Sequence, residues 1–523
     1  MSGCQRDTVS SATPDCPAGC PPRGGANFRR RAGAALADAG LRAKFRRAMD
    51  GLMSKRAAQF ADPVAWNAWR AEGAAIRRQA LARLPDLLEL LEARLTANGI
   101  SVHWAETLEE ANARVLAILQ QTGVQRVIKG KSMVSEEMRL NDHLESHGIR
   151  AVESDLGEYI IQLAGEGPSH IVMPCIHKSR QDIADLFATH IPDLPWTDDV
   201  DALTAAARRT LRTAFAEAGA GISGVNMAVA ETGTLVLVEN EGNGRLSTTL
   251  PPLHIAVMGI EKVVARLEDV PPLLRLLPRS ATGQPITTYV NFISRPRQDG
   301  EKDGPQAVHL VLLDNGRSRI WQDPQLRETL ACIRCGACMN HCPVYTRVGG
   351  HAYAAPYPGP IGKILTPQLL GLEAAGDLPH ASSLCGACAA VCPVQIPLPD
   401  ILVRLRQEAA TPRPGNPAAG RGERRIWRLW AWLNSQPRLY RAAVVSLTRL
   451  NRLLPLTALP SWLLATLPPL ALWSRVRTLP RIPGQTLRQQ AAPRGFAHEA
   501  PAPAPAPAPA PVPVPSSAPG DAP

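Results

Sequence analysis

Aromatic residues are scarce, at 4% of 523 positions, and the first twenty residues, MSGCQRDTVSSATPDCPAGC, hold no apolar run. No secretory leader is expected there, so a reducing cytosol is the compartment expected for the thiols. Acidic residues are almost missing from one region. Residues 421–490 contain twelve Arg and one Glu, with no Lys and no Asp. That stretch alone supplies +11, the formal net charge of the whole chain, so the remainder sums to about zero. Nucleic-acid binding by the main body loses its support. Apolar residues at 45% and charged residues at 20% are ordinary globular usage. A wholly disordered chain and a polytopic membrane protein are both excluded. The length allows about two to four domains at ~100–200 residues each.

Pro (49) and Gly (40) are plentiful and unevenly placed. Residues 1–27 are small and polar and read as disordered. Residues 501–515 alternate Pro with Ala or Val and favour extended polyproline II, within a disordered tail over 483–523. Residues 28–98 read as helical, with Asp62-Pro63 as an N-cap followed by Pro at the first helical position. Strands at 100–104, 125–128, 149–153 and 170–173 alternate with helices at 107–122, 135–147 and 178–189. That order predicts a largely parallel sheet covered by helices. From 225 strands dominate: 225–230 and 234–239 flank a tight turn at Glu231-Thr232-Gly233, and 253–258, 288–293 and 307–313 continue the sheet. Residues 28–330 are therefore expected to form one α/β unit with a helical preface.

The eleven cysteines stand at 4, 16, 20, 175, 332, 335, 338, 342, 385, 388 and 392. Seven fall within 61 residues, which suits metal ligation better than a disulfide framework. Cys332-x2-Cys335-x2-Cys338-x3-Cys342-Pro343 is the bacterial-type spacing for a [4Fe–4S] cluster. Such a loop wraps three thiolates around one cluster, and its fourth Cys, before Pro, points to a second. Cys385-x2-Cys388-x3-Cys392-Pro393 repeats the last three positions, and Ser382 stands where the first would be. The crossed assignment gives one cluster Cys332, Cys335, Cys338 and Cys392. It gives the other Cys342, Cys385, Cys388 and an unknown fourth ligand. An open iron, a Ser or water ligand, a three-iron form and a partner's thiol all remain open. Zinc fits badly, because its sites pair two Cys-x2–4-Cys units into one closed tetrahedron. The 42 residues between Cys342 and Cys385 suit helices, such as one around 361–375, so 331–410 is expected to be a helical two-cluster ferredoxin domain.

Other signals are weaker. Lys129-Gly-Lys-Ser-Met133 follows a strand and precedes a helix. It could bind an anion, or be a plain turn with solvated lysines, but it lacks a phosphate-loop pattern. Glu153, Asp155, Glu158 and Glu231 lie at expected strand ends, where turn chemistry is the plainer explanation. His170 and His177 flank Cys175, read as a buried thiol. Cys16 and Cys20 make a poor site. Residues 421–482 hold five of the ten Trp, and Leu453–Ser474 is uncharged over 22 residues. Four prolines argue against a straight spanning helix there and for a segment lying on a membrane surface, docking to a partner, or packing on its own protein.

These stretches together resemble the lactate-utilisation protein B family: KGKSMVSEE (129–137), ESDLGEYIIQLAGEGPSHIVMP (153–174), NMAVAETGTLVLVENEGNGR (226–245), CIRCGACMNHCP (332–343) and SSLCGACAAVCPVQIPLP (382–399). The resemblance covers roughly 28–480. It implies an α/β LUD domain, similar to the sugar-phosphate isomerase and CoA-transferase fold, fused to a two-cluster ferredoxin domain. It implies seven cluster cysteines, with Ser382 as a family feature. It also implies an electron-carrying subunit that acts with two partners, a cysteine-rich protein and a small LUD-domain protein, in oxidising L-lactate to pyruvate. The expected location is cytoplasmic, with peripheral contact at the inner face of the membrane as an extension. Two alternatives stand beside this: a complex for another hydroxy acid such as glycolate, or an isomerase- or transferase-like LUD enzyme with regulatory clusters.

Overall fold

The computed structural model describes residues 28–411, 421–453 and 485–486. Ten strands run through the first of these segments: β1 (Ser101–Ala105), β2 (Arg126–Lys129), β3 (Arg150–Glu153), β4 (Ala220–Gly224), β5 (Met227–Val229), β6 (Thr234–Glu239), β7 (Leu253–Gly259), β8 (Val263–Val264), β9 (Tyr289–Ile293) and β10 (Ala307–Leu313). Six form a wholly parallel sheet in the order β1-β10-β7-β4-β2-β3. Its middle strand β7 is buried along its whole length. A strand covered on both faces needs a near-continuous apolar run, and LHIAVMG supplies one. Its single polar side chain, His254, shares a 2.8 Å hydrogen bond with Ser223 on β4.

The other four strands form a separate mixed sheet in the order β8-β5-β6-β9. The expected continuation of one sheet through 225–239 and 288–293 is therefore corrected: those segments leave the parallel sheet, while 253–258 and 307–313 stay in it. The turn at Glu231-Thr232-Gly233 does join β5 to β6 antiparallel. Gly233 has φ 63°, and a Cβ there would sit 2.7 Å from the Arg94 carbonyl carbon.

Three further expectations change. Residues 170–173 form a bend instead of a strand. The buried His170 ring accepts the N–H groups of Val172 (3.0 Å) and Met173 (3.1 Å), so a sheet partner cannot claim them. The helix over 135–147 is two, Met133–Met138 and Leu140–Ser146, broken where Arg139 turns left-handed at φ 52°. β4 escaped notice because Ala-Gly-Ile-Ser-Gly has low strand propensity. Its Gly221 is needed: a Cβ there would meet the Ser247 carbonyl oxygen of helix Asn243–Thr249 at 1.6 Å.

The helical preface is real but divides its loyalty. Pro63–Ala82 and Leu84–Ala97 send Leu81, Leu84, Leu88, Leu91 and Leu95 into the core with the sheet. Asp62 caps the first of these through the N–H groups of Val64 and Ala65, as expected. Phe28–Ala37 and Ala39–Gln59 instead pack on the cysteine-bearing region, where Phe28, Phe45 and Met49 meet Tyr345, Val348 and Tyr353. One continuous core runs from Leu81 through the sheet residues Val308 and Leu310 to Ile364 and Leu405. Packing therefore shows no break at 330, and residues 28–411 lie in one compact unit.

A second unit holds helices Arg421–Ser435 and Pro437–Leu453. Ile426, Trp427, Leu429, Trp430 and Trp432 are exposed on the first helix. Among the described residues no helix is long and apolar enough to cross a membrane. The uncharged stretch that begins at Leu453 falls outside the described residues from 454 on, as do Cys4, Cys16, Cys20 and the Pro-Ala tail.

Candidate metal centre

The two cysteine runs fold into matching loops fifty residues apart. In the first, Arg334 has φ 60° and Gly336 φ 75°. In the second, Leu384 has φ 54° and Gly386 φ 81°. Each loop then enters a one-turn helix, Ala337–Asn340 or Ala387–Ala390. Left-handed turns at these places aim successive backbone N–H groups inward, where sulfur can accept them. Arg334 N–H reaches Cys332 Sγ at 3.4 Å, Tyr345 N–H reaches Cys342 Sγ at 3.5 Å, and Ile396 N–H reaches Cys392 Sγ at 3.4 Å.

The thiols sort into two neighbourhoods. Cys332, Cys335, Cys338 and Cys392 repel one another as thiolates, with Cys338 also facing Cys388 more weakly. Cys342, Cys385 and Cys388 line one cavity, together with Ser382 and Ser383. Burial, then repulsion from Cys332, pushes Cys335 to about 12 and holds Cys338 well above the ordinary thiol value. Burial, then Cys342, pushes Cys388 to about 11. Cys385 is exposed and shifts down, chiefly because the Ala387 N–H bonds its sulfur. Buried thiols so crowded ionise together only around a strongly cationic centre.

Their separation selects the kind of centre. Four thiolates on one zinc ion, each at about 2.3 Å, would lie roughly 3.8 Å apart. Among the described residues the group of three candidate ligand atoms within 4.8 Å of one another is Glu166, His177 and His351, and no cysteine belongs to it. The cysteines are spread too widely for one ion and suit a polynuclear cluster.

Charged side chains that sequence reasoning missed surround these thiols. Glu261, just past β7, is buried between Arg317 (Oε2 to Nε, 2.8 Å) and Arg334 (Oε1 to Nη2, 3.2 Å). Arg317, just past β10, also holds Glu137 at 2.8 Å. Tyr357 donates to Glu137 at 2.9 Å, and the Arg334 guanidinium lies 4.8 Å from the Tyr357 ring centroid. Arg77 donates to the backbone oxygens of Val263, Glu261 and Leu330. Burial alone would raise Glu261, but Arg317 foremost, then Lys262 and Arg334, hold it at about 2. Lys363, fully buried, places its Nζ 3.2 Å from Cys342 Sγ. The available signal was position alone: Glu261 and Arg317 follow the carboxyl ends of parallel strands.

The weaker candidates resolve into structural roles. Lys129 is buried against Glu153 (2.7 Å) and Glu136 (3.2 Å), and Lys131 donates to the Val172 carbonyl, so this turn offers no free lysine to an anion. Asp155 caps helix Leu156–Leu163, and Glu231 accepts the Leu267 N–H. Glu158 is buried, and burial raises it to about 8. Cys175 is raised to about 11, again by burial. His170 and His177 tie the bend onto the cysteine region: His170 pairs with Asn340 at 2.9 Å, and His177 pairs with Glu166 at 2.7 Å beside His351.

An α/β LUD domain joined to a 4Fe–4S dicluster domain is the class of protein this architecture defines. The LUD model matches residues 88–313, the 4Fe–4S dicluster model 328–396, and a model of the lactate utilisation protein B C-terminal region 404–496. Lactate utilization protein B of Shouchella clausii is 40% identical over 460 residues, 87% of this chain and 94% of that protein. Lactate utilization protein B of Bacillus subtilis is 45% identical over 343 residues, 65% of this chain and 71% of that one. The uncharacterized electron transport protein YkgF of Escherichia coli is 42% identical over 385 residues, 73% and 79% of the two chains. The chain belongs to the lactate utilization protein B family.

Two outcomes follow from this geometry. Replacing Glu261 with Gln leaves Arg317 and Arg334 short of a buried countercharge, and is expected to cost about 3 kcal/mol. Urea unfolding followed by circular dichroism reads this, and an unchanged midpoint would refute it. The hydrogen bond from His177 foremost, then Lys178, holds Glu166 at about 2, below its ordinary value of 4.5. Its stabilisation is complete above about 4.5 and is lost as pH falls toward 2. Glu166→Gln should flatten the pH dependence of unfolding in that window, and an unaltered acid limb would count against the pairing.

Proposed function

We propose that this chain is the iron–sulfur electron-transfer subunit of a complex that oxidises L-lactate to pyruvate, assembled with a cysteine-rich protein and a small LUD-domain protein. The observation that carries the reading is the cavity lined by Cys342, Cys385 and Cys388 beside the mutually repelling Cys332, Cys335, Cys338 and Cys392, within a family of lactate utilization proteins. Cys332, Cys335, Cys338 and Cys392 would hold one [4Fe–4S] cluster, and Cys342, Cys385 and Cys388 the other. Bound there, such clusters accept and release one electron at a time, which suits the two-electron oxidation of a hydroxy acid.

The chain's own residues supply the setting. Burial of Cys335, Cys392, Cys342 and Cys388 excludes water from most of the sulfur, whereas exposed Cys385 brings the second set to the surface. Backbone N–H groups and the Lys363 ammonium donate to sulfur, and donors of this kind favour the more negative, reduced state. The helices covering the parallel sheet support the isomerase- and CoA-transferase-like fold expected of the LUD domain.

The second unit supports a peripheral location at the cytoplasmic face of the membrane. Arg421, Arg424, Arg425 and Arg428 share helix Arg421–Ser435 with its exposed Trp residues, a pairing suited to the boundary of an anionic bilayer.

Anaerobically purified protein should contain about eight iron and eight sulfide per chain, and Cys338→Ala about half as much. Electron paramagnetic resonance signals should appear when L-lactate and both partner proteins are added. Eight iron that glycolate but not L-lactate reduces would move the substrate, and zinc without sulfide would overturn the reading. The full chain should sediment with vesicles containing anionic lipid and not with neutral ones. Sedimentation undiminished by Trp427→Glu with Trp430→Glu would sink the membrane reading.

A further inference from the structure

The second set has three cysteines, and the matching loops show what stands in the fourth place. Cys332 Sγ accepts the N–H of left-handed Arg334 at 3.4 Å. Fifty residues on, Ser382 Oγ accepts the N–H of left-handed Leu384 at 3.2 Å. Backbone turn, hydrogen bond and loop position all agree. Ser382 therefore occupies the position of a ligating thiolate, facing the cavity that Cys342, Cys385 and Cys388 line.

A serine hydroxyl is a poor replacement there. Its oxygen rides on a shorter bond than sulfur does, and it gives up its proton far less readily than a thiol does. The charge balance also differs from that of a four-thiolate site. One thiolate is missing, and the buried Lys363 ammonium adds a positive charge 3.2 Å from Cys342 Sγ. Ser383, Leu384 and Cys385 are exposed, so the corner opens toward solvent.

We propose that the iron at the Ser382 corner of the second cluster keeps no protein thiolate and takes an exchangeable oxygen-donor anion drawn from water, hydroxide, with Ser382 positioned to hydrogen-bond it. This rests on the two-cluster reading above. The exchange replaces one oxygen ligand with another at iron and leaves the oxidation state unchanged. A ligand of this class restores the negative charge that the fourth thiolate would have brought, next to Lys363.

The test uses the full chain, purified anaerobically and reduced, in ordinary water and in ¹⁷O-labelled water. The wild type and Ser382→Ala should both show ¹⁷O broadening of the electron paramagnetic resonance signal. Ser382→Cys, which supplies the missing thiolate, should lose it. An unbroadened wild-type signal overturns the proposal, and so does broadening that persists in Ser382→Cys. Loss of the second cluster in Ser382→Ala would make the serine oxygen itself the ligand and likewise overturn it. About eight iron per chain with no broadening refutes this proposal alone. About four iron per chain refutes it together with the two-cluster reading.

Discussion

Everything near the thiols depends on one buried carboxylate. Glu261 lies between two guanidinium groups from different parts of the chain: Arg317, past the last strand of the parallel sheet, and Arg334, inside the first cysteine loop. Burying three charges is costly, and their attraction offsets that cost only when the geometry is tight and each charge has a partner. Here the second face of Arg317 holds Glu137, and Arg334 lies on Tyr357. Gly259 makes the arrangement possible, since a Cβ there would meet Glu261 Oε2 at 2.1 Å and Arg317 Nε at 2.4 Å. The carboxyl edge of the sheet is thereby fixed against the loop that carries Cys332 and Cys335.

That link bears on the electrostatics of the first thiol set, through Arg334 beside Cys332. In the first, Cys335 and Cys392 are buried, and Arg56, Arg77, Lys262 and Arg334 flank the set. The second has fewer thiols, one buried ammonium and one exposed cysteine. The two sets thus differ in charge, in hydration and in access, and these are the variables by which a protein separates the potentials of two otherwise similar clusters.

The spacing of seven cysteines was legible in the sequence because cluster ligation imposes a local, repetitive constraint. The left-handed loop that makes the repeat structural required only Gly336 and Gly386 in plain sight; Arg334 and Leu384 adopt the same conformation without advertising it. The parallel sheet was legible from buried apolar runs such as β7. Gly-rich β4 was not, because its strand identity comes from neighbours on both sides and from the helix over Gly221. The bend at 170–173 looked like a strand because Ile171 and Val172 are β-branched, and a long-range contact between His170 and Asn340 outweighed propensity. Glu261, Arg317 and Lys363 were invisible for the same reason: their meaning lies in partners distant along the chain.

The helices at the start of the described chain have a temporal consequence. Phe28 N–H bonds the Asp377 carboxylate, 349 residues away, and Arg56 donates to the carbonyl of Val391. Ribosomal synthesis releases residues in order, so the first helix emerges long before its partners exist. Throughout that interval Phe28, Phe45 and Met49 lack the surface that will cover them, and such apolar faces are what chaperones bind. Under the crossed assignment proposed above the thiols share this dependence, because the first set waits for Cys392 and the second for Cys385 and Cys388. Cys392 is the last of the seven cysteines to be made, so the full set and the first helix become available to one another only after residue 392 has emerged.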